Sequence, residues 1–221
     1  LTPPKDYVNA FPDFIWKFKK ETGHFFMNHS MGSRGTNNEL TLSSLEGITR
    51  EVLEEIEIDY FVPAVGNGSS VLGPARILPR DCRVVPFETF QSAVAYDLKH
   101  PGEYERRFGV TPEDMQKLLP RHQLPGTSYH GISFPHVNNS IEMLGDVILV
   151  SGNEMDKAYQ NETSRNDTRS LPHWDDPNII DHEDLGRSSR AGLAVALEIA
   201  KRVSEKNLLI IGYDKIDRYD S

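Results

Sequence analysis

The chain has 221 residues, of which 38% are hydrophobic and 26% charged, with a net charge of −9 and a single cysteine, Cys82. These proportions fit a globular domain. They exclude general nucleic-acid binding, which needs a basic face, and an internal disulfide, which needs a second cysteine. No apolar run approaches the ~20 residues of a membrane-spanning helix, so no membrane partner is expected. One thiol without a mate suits a reducing compartment, hence an expected cytoplasmic location. The chain opens on Leu1 without a recognisable signal peptide, so it is read as one domain over residues 1–221, processed or incomplete. Asn28, Asn67, Asn138, Asn161 and Asn166 each begin an N-x-S/T triplet, for which chance in an Asn-rich chain is sufficient explanation.

After an extended lead-in at residues 1–4, Tyr7, Phe11, Phe14, Ile15 and Phe18 recur at helical spacing, with Asp6 as N-cap and Gly23 as C-cap. The aromatic stripe is expected to face a core. A short strand is expected over residues 24–28 and a loop over 30–38. The next helix spans residues 39–56, with Leu42, Leu45, Ile48, Val52 and Ile56 on one face. Residues 60–65 are an aromatic and β-branched run, the pattern of a strand covered on both faces. Gly66-Asn67-Gly68-Ser69-Ser70 then turns the chain into a helix reaching about Leu78, with Ser69 or Ser70 as its cap. A strand, a Gly/Ser turn and a helix N-terminus present N–H groups and a positive dipole end, so this turn is a candidate anion site.

A second strand is expected at residues 83–88, one helix after the first, which is the rhythm of a parallel sheet. Residues 89–124 are mixed, with a helix at 112–119; 125–131 read as a loop, 137–144 as a short helix and 146–151 as a third strand. Residues 160–184 are crowded with Asn, Asp, Arg and Pro and read as a long surface loop or insertion. A helix over 188–203 carries small residues at Ala191, Gly192, Ala194, Ala196 and Ala200, and residues 208–213 form a fourth strand. The fold class expected is α/β, an open, mostly parallel doubly wound sheet in three αβα layers. Ligands of such sheets collect at the carboxyl ends of the strands. That selects the Gly66–Ser70 turn, the turn after Glu88, Ser151 and the turn after Tyr213. Ser188 and Ser189 open the small-residue helix, where capping is the plain explanation of a serine.

His173, Asp175, Asp176, Asp181, His182, Glu183 and Asp184 form an acidic, His-containing cluster without ligand spacing, so a solvated loop is expected there; a metal-dependent hydrolase is the least favoured reading. His122, His130 and His136 have no base–nucleophile partner in sequence, no G-x-S-x-G elbow occurs, and nothing beside Cys82 activates it. No catalytic residue and no metal ligand are assigned.

Five segments occur in an order that resembles one family. They are the strand with Gly66-Asn67-Gly68-Ser69-Ser70; Phe87-Glu88 with Ser92-Ala93; Gly131-Ile132-x-Phe134-Pro135; Gly186-Arg187-Ser188-Ser189-Arg190-Ala191; and Asp217-Arg218-Tyr219-Asp220-Ser221. Together they resemble the cysteine synthase and cystathionine β-synthase group of fold-type II pyridoxal-phosphate enzymes. The resemblance implies pyridoxal 5′-phosphate as cofactor, held by its phosphate at Gly66, Asn67, Gly68, Ser69 and Ser70, with Ser188 or Ser189 facing the pyridine nitrogen. It implies β-replacement or β-elimination on an amino acid such as O-acetylserine, and as partner a second copy of the chain or a lysine-bearing segment. The resemblance begins partway into the family's sequence. The Schiff-base lysine and the loop that grips the substrate carboxylate precede the matched part; Lys5, Lys17, Lys19 and Lys20 lack the expected neighbours, and residues 33–38 stand in the wrong place for that loop. Arg190 replaces a family glycine, which is expected to crowd the ring-nitrogen pocket. The alternative is a non-catalytic ligand-binding or assembly module on the same fold.

Overall fold

Phe61 and Val62 are neighbours in sequence, both fully buried, and each belongs to a different core. The computed structural model describes residues 11–24, 39–119, 124, 127, 137–138, 141–151, 155–165 and 184–219. In chain order the main elements are α1 (Phe11–Thr22), α2 (Glu39–Leu53), β1 (Tyr60–Val62), α3 (Ser69–Ala75), β2 (Arg83–Val84), β3 (Phe87–Thr89), α4 (Val94–Lys99), α5 (Glu103–Phe108), α6 (Pro112–Leu118), β4 (Ile148–Val150), α7 (Met155–Arg165), α8 (Arg187–Ala200) and β5 (Leu208–Ile210). β1 pairs in parallel with β2 on one side and β5 on the other, and β3 pairs in parallel with β4. An Ala64–Phe87 bridge joins the two ladders, with Phe87 N–H donating to Pro63 O at 2.9 Å and Val65 N–H donating to Phe87 O at 2.8 Å. The order across the sheet is β5–β1–β2/β3–β4. The single strand expected over residues 83–88 is divided at Pro86, and β1 stops before Pro63, because proline has no N–H to give a ladder.

Successive residues on a strand point to opposite faces. Phe61, Leu149 and Leu209 therefore meet Leu42 of α2, Leu72 of α3 and Tyr96 of α4. Val62, Val150 and Ile210 meet Tyr159 of α7 and Ala191, Ala194 and Val195 of α8. Strands apolar at every position need cover on both sides, and the three-layer doubly wound fold expected from the sequence provides it. Right-handed crossovers tie the direction of travel to the face used. From β1 the chain steps outward to β2/β3 and β4, then returns past β1 to β5 by way of α8 on the opposite face. The reversal puts residues 63–70 and 211–216 side by side at the carboxyl ends of β1 and β5.

Several expectations shift. Phe18, expected in a core, is 46% exposed, with its ring 5.5 Å from that of His24. Gly23 does close α1, at φ 68 with its N–H on Lys19 O. The surface loop expected from Gln160 begins instead as helix, since α7 runs to Arg165. Tyr159 of α7 is 5% exposed, and the Arg190 guanidinium of α8 lies 4.9 Å from its ring centre. The short helix expected over 137–144 shows helical residues at 137–138 and a 3-10 turn at Ile141–Met143. Residues 25–38 and 166–183, with the strand, loop and His/Asp cluster expected there, lie outside the described residues, except Asp184 of the cluster. Among the described residues no helix is long and apolar enough to cross a membrane.

The helices α4 and α5 have no periodic signal in sequence. α4 depends on a distant cap, the Glu88 carboxylate at the end of β3, which is 0% exposed. Its Oε2 accepts N–H bonds from Val94 and Ala95 at 3.1 and 3.2 Å, and its Oε1 accepts Tyr96 N–H at 2.7 Å. Replacing Glu88 by Ala strips acceptors from three N–H groups of the first turn and leaves a cavity. Glu88→Ala is expected to lower the unfolding free energy by about 2–4 kcal/mol, read from urea denaturation, with Glu88→Gln losing less because one carbonyl oxygen remains. An unchanged urea midpoint in Glu88→Ala would show that the cap is not needed.

Candidate functional site

The polypeptide leaves β1 through Pro63, Ala64 and Val65, all buried. Gly68 has φ 90 and ψ −13, a left-handed conformation that a side chain strains. It is the N-cap of α3, and its carbonyl accepts the N–H groups of Val71 and Leu72 at 3.1 and 2.9 Å. The expectation that Ser69 or Ser70 caps this helix is not met. Both lie inside its first turn, and the side chain that engages the turn is Asn67, whose Oδ1 accepts Ser69 N–H at 2.9 Å. An Asx side chain makes such a bond to a residue two positions on, and it takes one of the N–H groups that the sequence offered to an anion. Ser69 is 4% exposed and Ser70 half-buried.

The second part of the site is the start of the 14-residue α8. Gly186 N–H donates to Asp214 O at 2.8 Å, which pins the helix start to the segment after β5. Ser189 Oγ accepts Tyr213 N–H at 2.8 Å. Ser188 is 2% exposed, and its Oγ has no hydrogen-bond partner among the described residues. A buried hydroxyl without a partner is costly and uncommon. The sequence could not separate the two serines; the structure gives one of them a backbone partner and leaves the other without one. Arg190 does not crowd this end of the helix. At about 100° per residue it projects about 200° round the helix from Ser188, and its guanidinium lies over Tyr159 of α7.

Tyr213 connects the two parts and was not singled out in the sequence beyond its place at a strand end. Its Oη accepts Ala64 N–H at 2.8 Å. Burial pushes the phenol up to about 12, against the opposing effect of the Ala64 N–H and the neighbouring Ser70 hydroxyl. One side chain thus reaches the exit of β1 at Ala64, just before the Gly66–Ser70 turn, while its own N–H is held by Ser189. Asp214 was missed as well, because its contact with Gly186 forms only when β5 and α8 dock.

Other candidates separate from this site. The turn after Glu88 serves to cap α4. Ser151 lines an open groove of about 400 Å³ beside β4 with Phe90, Arg107 and Phe108. The Cys82 thiol is pushed up to about 11, by burial first and then by the Asp81 and Asp59 carboxylates, so it is not a nucleophile near neutral pH. Among the described residues no three His, Cys, Asp or Glu side chains are placed to hold a metal ion. His122, His130, His136 and the Gly131–Pro135 segment lie outside the described residues, as do the side chains of residues 218–221.

No protein-family profile matches the chain, and no curated protein matches it in sequence. Solved structures do. An O-ureido-L-serine synthase superposes with a TM-score of 0.68 at 19% identity, over 100% of this chain and 59% of that one. A cysteine synthase from Entamoeba histolytica gives 0.62 at 18% identity, over 100% and 55%. A hydrogen sulfide-producing enzyme from Fusobacterium nucleatum gives 0.68 at 15% identity, over 99% and 62%. The chain has the fold of the cysteine-synthase group that its motifs resemble, and it spans less than two thirds of the length of each of these structures.

Gly186 offers a direct check on how the site is assembled. Its φ of −68 suits any residue, so the constraint is space. A Cβ there would stand 1.9 Å from Asp214 Oδ1 and 3.0 Å from Asp214 O. Gly186→Ala is expected to lower stability by about 1–3 kcal/mol, measured by chemical denaturation, and Asp214→Ala in the same chain is expected to recover part of the loss. Equal stability of Gly186→Ala and the parent chain would contradict this packing.

Proposed function

We propose that this chain forms the phosphate-binding and ring-nitrogen side of a pyridoxal 5′-phosphate site, in an enzyme of cysteine-synthase type acting on an amino acid such as O-acetylserine by β-replacement or β-elimination. The observation that carries the reading is the Ser188 hydroxyl, buried and without a partner among the described residues, at the start of α8 where the sheet reverses direction. Doubly wound sheets bind ligands at that point. A hydroxyl both donates and accepts, so it can meet a ring nitrogen in either protonation state. Ser189 is occupied by Tyr213 N–H and takes the supporting position.

In this reading Gly66, Asn67, Gly68, Ser69 and Ser70 hold the cofactor phosphate, and Ser188 faces the pyridine nitrogen. The residues suit such a group in kind: two serines follow a left-handed glycine at the start of α3, and the start of α8, whose dipole favours negative charge, lies at the same edge of the sheet. When bound, the cofactor supplies an electron sink for breaking bonds at the substrate's α and β carbons. What the chain's own residues do is bind and orient. The Schiff-base lysine is assigned to no residue of this chain. A cytoplasmic location, and pairing with a second copy or a lysine-bearing segment, accompany the reading.

Fluorescence titration of the chain with pyridoxal 5′-phosphate tests it. Saturable binding, displaced by inorganic phosphate, is expected. Ser188→Ala is expected to weaken binding about tenfold while leaving the ligand-free protein as stable or about 1 kcal/mol more stable, because a buried unsatisfied hydroxyl is removed. Absence of saturable binding by the parent chain would refute the cofactor site. Binding without turnover of O-acetylserine would favour the non-catalytic module.

A further inference from the structure

We propose that Tyr213 is a positioning residue that sets the separation between the Gly66–Ser70 turn and Ser188, and so fits the site to a ligand held at both ends. The proposal rests on the cofactor site described above and deepens it. The N–H groups of a strand alternate between its two neighbours. Tyr60 N–H donates to Asn207 O, on the β5 side, at 3.1 Å, and Val65 N–H donates to Phe87 O, on the β3 side, at 2.8 Å. Ala64 N–H therefore faces the β5 side. The β1–β5 ladder ends at Val62 and Ile210. Continued at its even spacing, it would bring Ile211 O to Ala64 N–H. The Tyr213 phenol takes that place and accepts Ala64 N–H at 2.8 Å. A side chain thus supplies one more rung beyond the ends of the two strands.

The same residue and its neighbour hold the start of α8. Tyr213 N–H donates to Ser189 Oγ at 2.8 Å, and Asp214 O accepts Gly186 N–H at 2.8 Å. Residues 213 and 214 are therefore a common anchor for the main chain that enters the Gly66–Ser70 turn and for the helix start that carries Ser188. The turn has other supports of its own. Val65 is tied to Phe87, and Asn67 Oδ1 accepts Ser69 N–H at 2.9 Å. Removing the phenol oxygen leaves those bonds in place and takes away the tie between the turn and α8. A ligand gripped at one end needs only the turn. A ligand gripped at both ends needs the two parts already at the right separation, because the cost of bringing them there is subtracted from its second contact.

The test uses the full chain and two probes: pyridoxal 5′-phosphate, which reaches both parts, and inorganic phosphate, which reaches only the turn. Tyr213→Phe keeps the ring and the main-chain bond to Ser189 and removes only the phenol oxygen. It is expected to weaken pyridoxal 5′-phosphate about tenfold and to leave inorganic phosphate within about twofold. In the Ser188→Ala chain, where the second contact is already gone, Tyr213→Phe is expected to add little. A general loosening of the structure would weaken both probes alike. Amide hydrogen exchange reads the tie directly: Ala64 N–H is expected to exchange faster in Tyr213→Phe, while Val65 N–H, held by Phe87, keeps its protection. Unchanged affinity for pyridoxal 5′-phosphate, an equal loss for the two probes, a full further loss in the Ser188→Ala chain or an unaltered Ala64 exchange rate overturns the assignment and leaves the cofactor site standing. Failure of the parent chain to bind pyridoxal 5′-phosphate overturns the site and the assignment together. Should Tyr213→Phe not fold, replacing Ala64 by the corresponding α-hydroxy acid removes the N–H and keeps the phenol. The same split between the two probes is then expected, and its absence overturns the assignment.

Discussion

The parallel pairing of β5 with β1 is the constraint on which the candidate site depends. Tyr60, Phe61 and Val62 lie opposite Leu208, Leu209 and Ile210. That register carries the chain beyond β5 to the level at which Tyr213 N–H meets Ser189 and Tyr213 Oη meets Ala64. A slip of one residue would turn every side chain of β5 to the other face, removing Ile210 from the α8 core and Tyr213 from the crevice. Both faces of β5 are packed, Leu209 and Ile211 on one side and Leu208 and Ile210 on the other, so the register is held from two directions.

The carboxyl edge of the sheet also separates polar groups that serve the fold from those left for a ligand. Glu88, Thr89, Ser92 and Ser189 are all 0% exposed. Glu88 holds the first turn of α4, Thr89 and Ser92 share a hydrogen bond at 3.2 Å, and Ser189 takes Tyr213 N–H. Ser188, one residue away on the same helix, has no hydrogen-bond partner among the described residues. Burial is therefore a poor guide to function here. Partnership is the better one, since a buried polar group that the fold does not satisfy carries a cost that only a ligand or water removes. Tyr213 belongs to both groups: its main chain serves the fold, and its hydroxyl stands at the edge of the candidate site.

Much of the fold was legible because covered parallel strands are apolar at nearly every position. The runs at residues 60–65, 83–88, 146–151 and 208–213 each contain a strand of the sheet. α8 was legible through its small residues, which let it approach the sheet; a Cβ at Gly192 would lie 3.3 Å from the Phe87 ring. α4 and α7 were not legible. One is six residues long with its cap contributed by β3, and the other is polar apart from Met155, Ala158 and Tyr159. Propensity over so short or so polar a window is outweighed by contacts that exist only after docking.

At the site, the amino-acid sequence by itself determined the chemical types and their order: a Gly/Ser turn after a buried strand, two serines opening a helix, and a tyrosine closing the last strand. Period-2 burial and glycine's backbone freedom make those features local, so they can be read along the chain. Tertiary structure alone decided which side chains are left with donors to offer. Asn67 takes Ser69 N–H, Ser189 takes Tyr213 N–H, and Ser188 has no partner among the described residues. The contact between Tyr213 and Ala64 joins residues 149 positions apart. Hydrogen-bond satisfaction is a property of groups brought together across the sheet, and no local pattern in the sequence encodes it.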